Sequence, residues 1–212
     1  MIQPIHSRPI LLLLAVLFIV VFASLLSLMS HGRQRVLVVC CALLPLAPLM
    51  NQGAVDADEI TRMYLANLRS SRGIEYVWGG EGMMGLDCSG LPRRSMINAL
   101  MKYAYLRFNG NALVSALDLW VNDASARELM HGYGGRVTVD NYRYKINSGR
   151  SDIHAGDMAV TYGGVHVMVY LDKQTIIQAE PERSKVVIDS IPSNNAWYEV
   201  DVCRIRWNIG GN

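Results

Sequence analysis

The first fifty residues contain no aspartate, glutamate or lysine, and their charge consists of Arg8, Arg33 and Arg35. That absence divides the chain, because residues 51–212 then hold all 18 acids and 17 of the 20 bases. A remainder so evenly balanced has no basic face of the kind that binds nucleic acid. Charged residues make up only 18% of the chain against 51% hydrophobic, which excludes a disordered polyelectrolyte. Cysteine is scarce: Cys40, Cys41, Cys88 and Cys203 do not form a disulfide framework. Cys40 and Cys41 lie in an apolar run, and Val39 stands where a lipoprotein cleavage site needs a small residue. His131 and His154 lack metal-ligand spacing, so neither a zinc site nor any other cofactor is expected. Internal repeats and low-complexity tracts are absent too.

What the first fifty residues do contain is hydrocarbon. Residues 10–29 are twenty apolar or small residues, enough to cross a bilayer core as a helix. A polar break carrying Arg33 and Arg35 follows. A second apolar run then covers residues 36–50, short for a spanning helix and normal for a signal-peptide core. Three arrangements are open. Both runs span, with the arginine loop inside and the remainder outside. Alternatively, translation starts at Met29 and the second run is a cleaved signal with a small-residue region near Ala54 and Ala57. In the third, the remainder returns to the cytoplasm. The first two place the rest of the chain outside the cytoplasm, membrane-anchored in one and secreted in the other.

The remainder divides into a polar linker at 51–59, a domain at 60–207 and a tail at 208–212. Apolar spacing predicts a helix over 60–68 and a longer one over 91–108 stopped by Asn109-Gly110, then helices over 112–119 and 124–130. Residues 132–149 read as loop or hairpin. Short β-branched segments at 158–161, 165–171, 175–178, 186–189 and 200–207 read as an antiparallel meander. Helices first and strands after is the α+β pattern.

Three residues stand out chemically. Cys88 follows a glycine-rich loop and opens the long helix, where the helix dipole and free N–H groups favour a thiolate and can hold an oxyanion. His166 follows Gly163-Gly164 at the start of a strand, and Gln178 lies on the next strand of that hairpin. An imidazole held by a polar side chain beside a thiol is the arrangement of a cysteine nucleophile with its base. Arg93 and Arg94 read as a solvated helix face, or as cations for substrate carboxylates. Asp157 reads as a turn residue, and Cys203 as a buried strand residue.

In order and local context, Tyr76-Val77-Trp78-Gly79-Gly80, Leu86-Asp87-Cys88-Ser89-Gly90-Leu91, His154-Ala155-Gly156-Asp157-Met158, Gly164-Val165-His166-Val167 and Ile176-Ile177-Gln178-Ala179 resemble the NlpC-like cell-wall cysteine peptidases across residues 60–207. The resemblance implies a papain-like fold, with helices packed on a small antiparallel sheet. It implies Cys88 as nucleophile, His166 as general base and acid, and Gln178 as the residue that orients His166. It also implies Tyr76, Asp87 and Ser89 as residues that line the substrate cleft or support the nucleophile. The implied partner is the peptidoglycan stem peptide, whose amide bonds such enzymes cleave. Cys88 and His166 stand 78 residues apart, more than the family pattern. The excess, around 111–151, reads as a lid, a specificity loop or a partner surface. Pro92 requires the helix to begin near Cys88. Two other functions remain open on the same residues. One is acyl transfer to or from lipid, with Met83, Met84 and Leu86 lining an apolar groove. The other is a non-catalytic module that binds wall peptides or a partner.

Overall fold

A computed structural model describes residues 48, 51–82 and 84–209. The apolar runs at 10–29 and 36–50 lie outside the described residues except for Pro48, as do Met83 and the end of the tail. Among the described residues no helix is long and apolar enough to cross a membrane.

Helix α1, Ala57–Ser70, starts three residues earlier than the apolar spacing predicts. The reason is its cap: the Asp56 carboxylate accepts from the Glu59 N–H at 2.9 Å, and Asp58 and Glu59 add negative charge to the first turn. Ile60, Tyr64 and Leu68 form its buried stripe. The Asp56 N–H donates to the Tyr103 hydroxyl at 2.9 Å, tying the linker to the next long helix.

That helix, α2, Gly90–Arg107, buries residues around most of its circumference, including Leu91, Met96, Leu100 and Tyr103. It is the central helix of the fold, with α1 on one side and α3, Gly110–Val121, on another. Each fully buried side chain of this kind contributes about 2 kcal/mol. Pro92 sits third in the helix after the N-cap Ser89, where its missing N–H costs no internal bond. The helix does not stop at a glycine. Phe108 takes the left-handed conformation with φ of 49°, and Asn109 caps α3 by accepting from the Ala112 N–H at 2.9 Å. A short helix α4, Ala126–Met130, carries a full capping box from Ser125 and Glu128.

Two short strands, β1 (Glu81–Gly82) and β2 (Gly85–Leu86), pair in the glycine-rich loop. The main sheet has six antiparallel strands: β3 (Val137–Tyr144), β4 (Met158–Thr161), β5 (Val167–Tyr170), β6 (Thr175–Glu180), β7 (Lys185–Ser190) and β8 (Val202–Trp207). Their order is β3-β8-β4-β5-β6-β7. Two expectations are corrected. Residues 132–149 are not simply loop, because β3 is an eight-residue edge strand on β8 with a register shift between Asp140 and Arg143. Its exposed polar side chains hide the strand period. And β8 does not continue the meander beside β7; it crosses to pair with β4 and β3.

The sheet is covered on both faces. Met158, Val160, Val167, Val169, Ile177 and Ile205 face the helices, while Ala159, Met168, Tyr170, Ile176 and Val202 pack under Tyr144, Tyr198 and Trp197 on the other. The 111–151 segment is built into this body: Ala112, Leu113, Ala116, Leu119 and Leu129 belong to the helix-side core.

Candidate active site

The thiol side of the site is one local turn. Asp87 shapes it. Its Oδ1 accepts from the Ser89 N–H at 3.0 Å, the Ser89 hydroxyl at 3.0 Å and the Gly90 N–H at 2.6 Å, and its Oδ2 accepts from the Gly79 N–H at 3.0 Å. Gly90 is required by close approach, because a Cβ there would lie 2.3 Å from the Gly80 carbonyl oxygen. Cys88 is held at the tip of this turn, unpaired and 8% exposed. Asp87 and Ser89 are therefore spent on each other and on the backbone, supporting Cys88 rather than lining a cleft.

The electrostatics of Cys88 differ from the expected thiolate. Burial pushes its thiol up to about 11, and the Asp87 carboxylate adds to the rise. The N–H groups of Val167, Ser89 and Cys88 itself pull the other way without cancelling it. The resting group is a thiol. The helix start is also less free than expected, since the Ser89 and Gly90 N–H groups serve Asp87 and the Leu91 N–H serves the Asp87 carbonyl.

The imidazole side is assembled from distant strands. Gly164, with φ of +68°, lets the chain turn against α4, where a Cβ would meet Arg127 Cα at 2.4 Å. The Thr161 hydroxyl accepts from the Val165 and His166 N–H groups at 3.0 and 2.9 Å, setting His166 just before β5. Val167, the next residue, is the one whose N–H reaches Cys88, so the two sides meet there. The His166 ring is buried, with Nε2 2.8 Å from Gln178 Oε1. It stacks on Trp197 with ring centroids 4.4 Å apart and planes 21° apart. Burial lowers its pKa from the usual 6.5, against opposing pulls from Gln178, Glu180 and Asp87. A neutral imidazole can accept a proton, and the residue after it, Val167, reaches the Cys88 thiol through its N–H.

Trp197, Glu180 and Asn195 are residues of the site that the sequence does not single out, whereas Tyr76 is one that it does. Trp197 covers the ring and is itself fixed by buried Glu180, which accepts from Trp197 Nε1 at 3.2 Å and Asn195 Nδ2 at 2.7 Å. Tyr76 is close enough to Cys88, Asp87 and Glu180 that these, after burial, push its hydroxyl up to about 12. It is half-buried and protonated at neutral pH, so it is a hydrogen-bond donor at the mouth of the site.

Other expectations change. Arg93 is not a solvated cation but 1% exposed. Its Nε donates to the Leu119 carbonyl at 3.0 Å and its Nη2 to the Trp120 carbonyl at 3.3 Å, while it ion-pairs with Glu81 and Asp123. It ties the helix behind Cys88 to the free carbonyls ending α3. Arg94 is half-buried. Asp157 is buried against Arg206 at 2.7 Å and accepts from the His154 N–H at 3.0 Å, as a turn residue does. Cys203 is a free buried strand residue. The apolar groove expected from Met83, Met84 and Leu86 loses Leu86, which is core, while Met84 is 93% exposed. Leu86 pairs with Glu81 in the small hairpin and is buried in the helix-side core.

The NlpC/P60 family model matches residues 73–206. No curated protein sequence matches the chain. Among solved structures, the P60 domain of an antigen from M. avium subspecies paratuberculosis is 16% identical, with TM-score 0.42, 68% of this chain covered and 93% of that one. The peptidoglycan hydrolase RipB from Mycobacterium tuberculosis is 17% identical, with TM-score 0.43, 84% of this chain covered and 87% of that one. NlpC2 from Trichomonas vaginalis is 17% identical, with TM-score 0.43, 72% of this chain covered and 48% of that one.

Proposed function

The chain belongs to the NlpC/P60 family of cell-wall cysteine peptidases, and on that premise we propose that it hydrolyses amide bonds in peptidoglycan stem peptides. The observation that carries this reading is that the Val167 N–H reaches Cys88 while its neighbour in sequence, His166, is held by Gln178. His166, neutral and Nε2-bonded to Gln178, takes the Cys88 proton as Sγ attacks the amide carbonyl, and a C–S bond forms. The Cys88 N–H and the Tyr76 hydroxyl are the donors on hand for the oxyanion. His166 then gives its proton to the leaving amine as the C–N bond breaks. Water, deprotonated by His166, attacks the thioester and releases the acid and the thiol. Gln178 keeps the imidazole in place throughout, and Asp87 and Ser89 keep Cys88 at the tip of its turn.

The proposal includes location. Residues 10–29 and 36–50 anchor the chain in a membrane, or direct its export, with residues 60–207 on the outer side. The runs themselves and the Arg33/Arg35 loop support this, and protease digestion of intact and lysed cells tests it.

The activity is tested on the full chain and its Cys88→Ala variant, each incubated with muropeptides and followed by mass spectrometry. New stem-peptide fragments that vanish with Cys88→Ala are expected, and their masses name the bond. Muropeptides left intact by the unaltered chain would contradict the peptidase reading.

A further inference from the structure

Gln178 does not act alone. It is fully buried on β6, and its amide has two different ends to place. One end, Oε1, faces His166 Nε2 at 2.8 Å. The other, Nε2, faces Asp189 Oδ2 at 3.3 Å. Asp189 lies on β7, two residues beyond Val187, the cross-strand partner of Gln178, and so on the same face of the sheet. Its second oxygen accepts from Arg183 Nη1 at 2.6 Å. The result is a chain of bonds from Arg183 at the edge of the sheet, through Asp189 and Gln178, to the imidazole.

The chemistry of each link has a direction. A carboxylate accepts and cannot donate, whereas a primary amide does both. Facing Asp189, Gln178 must present its NH₂, and its carbonyl oxygen is then left toward His166. That oxygen accepts only from a protonated Nε2, so Nδ1 carries the lone pair. If the amide turned over, its NH₂ would donate to Nε2, the ring proton would move to Nδ1, and the ring could not take a proton from Cys88 on that side. Arg183 holds the carboxylate in place and balances its charge.

We propose that Asp189, held by Arg183, is a positioning residue that fixes the Gln178 amide and thereby keeps His166 in the Nε2–H tautomer that a base for Cys88 needs. The inference rests on the reading of His166 as that base, but not on which substrate the enzyme cleaves.

The test follows the rate at which iodoacetamide alkylates Cys88 at pH 7 in the full chain, read on the Cys88 peptide by mass spectrometry. Asp189→Asn keeps the shape of the side chain but lets it donate, so the Gln178 amide loses its preferred direction. The rate is expected to fall about tenfold, toward that of His166→Ala. Adding Gln178→Glu restores an acceptor for His166 whichever way the side chain turns, while the new asparagine donates to it. The double variant is expected to return to within about twofold of the unaltered chain. A near-normal rate for Asp189→Asn would overturn the proposal, and so would a double variant no faster than Asp189→Asn alone. A His166→Ala variant that labels normally would overturn the base reading with it. Labelling that behaves as expected while muropeptides stay intact would leave the positioning role standing and remove only the peptidase reading. A second measurement needs no variant: ¹⁵N imidazole shifts of the unaltered chain are expected to place the His166 proton on Nε2, and a proton on Nδ1 would overturn the proposal.

Discussion

The two sides of the candidate site are built in opposite ways. The thiol side is a single turn in which Asp87 bonds to Gly79, Ser89 and Gly90, all within eight residues of it. The imidazole side draws on the approach to β5, on β6 and β7, and on the short helical turn Ala196–Tyr198. A turn held by its neighbours in sequence forms wherever those neighbours are present. A face assembled across strands depends on register, and a slip of one residue would turn Gln178 toward the helices. Local bonds therefore set the geometry of the Cys88 thiol, and the sheet sets the state of the His166 ring.

The largest expected effect comes from removing the base. His166→Ala lowers kcat/KM on muropeptides by about 10²- to 10⁴-fold while the thiol turn stays formed, which unchanged amide hydrogen exchange at Ser89 and Gly90 would show. If the thiol side needed the ring to hold its shape, the fold would loosen as well, and the division into two sides would fail.

The thiol side is broken next, through its support rather than its chemistry. Arg93→Ala strips the buried guanidinium from the α3 carbonyls and from Glu81. It is expected to cost about 3 kcal/mol, because it leaves buried acceptors unpaired. Calorimetry should show the melting temperature drop by about 6–12 °C. A drop of a degree or less would mean that water replaces the arginine.

Trp197→Phe is a finer cut on the imidazole side. Phenylalanine keeps a ring over His166 but loses the Nε1 bond to Glu180. About 1 kcal/mol of positioning should be lost, seen as kcat reduced about fivefold at nearly constant KM.

The smallest effect is in pH dependence. His166 must be neutral to accept a proton, and burial lowers its pKa, so the acid limb of kcat/KM falls below pH 6.5. Activity is lost as pH drops through that lowered value, where the ring becomes charged. On the alkaline side the thiol is pushed up to about 11, so no fall is expected through pH 9. Asp87→Asn removes the negative charge beside Cys88 and should move the thiol midpoint down from about 11, with alkylation against pH as the readout.

The same contrast explains what could be read in the sequence. Cys88, Asp87, Ser89 and Gly90 are consecutive, so their turn is visible as a motif. His166 is marked in sequence by the Gly163-Gly164 pair before a β-branched segment, and Gln178 by a segment that the structure extends to Glu180; the segment at Met158–Thr161 is legible to the residue. Trp197 and Glu180 carry no such signal, and Asp189 falls in the segment read at 186–189 with nothing to mark it for the site. Each looks ordinary in sequence and gains its role from a strand or turn that folds beside it. The sequence misleads about Arg93, because an adjacent Arg94 suggests a solvated face, whereas burial depends on where α3 ends. The path of β8 was hidden for a similar reason: a strand does not announce which edge it joins.

The most direct test of the whole account is whether the two sides work as one unit, and the alkylation rate of Cys88 measures that without any substrate. In the full chain the rate at pH 7 should fall about tenfold with His166→Ala, because the thiol then loses the base that draws its proton. Equal rates at pH 7 would mean that the imidazole never draws the thiol proton, and the site as described would not be a catalytic pair.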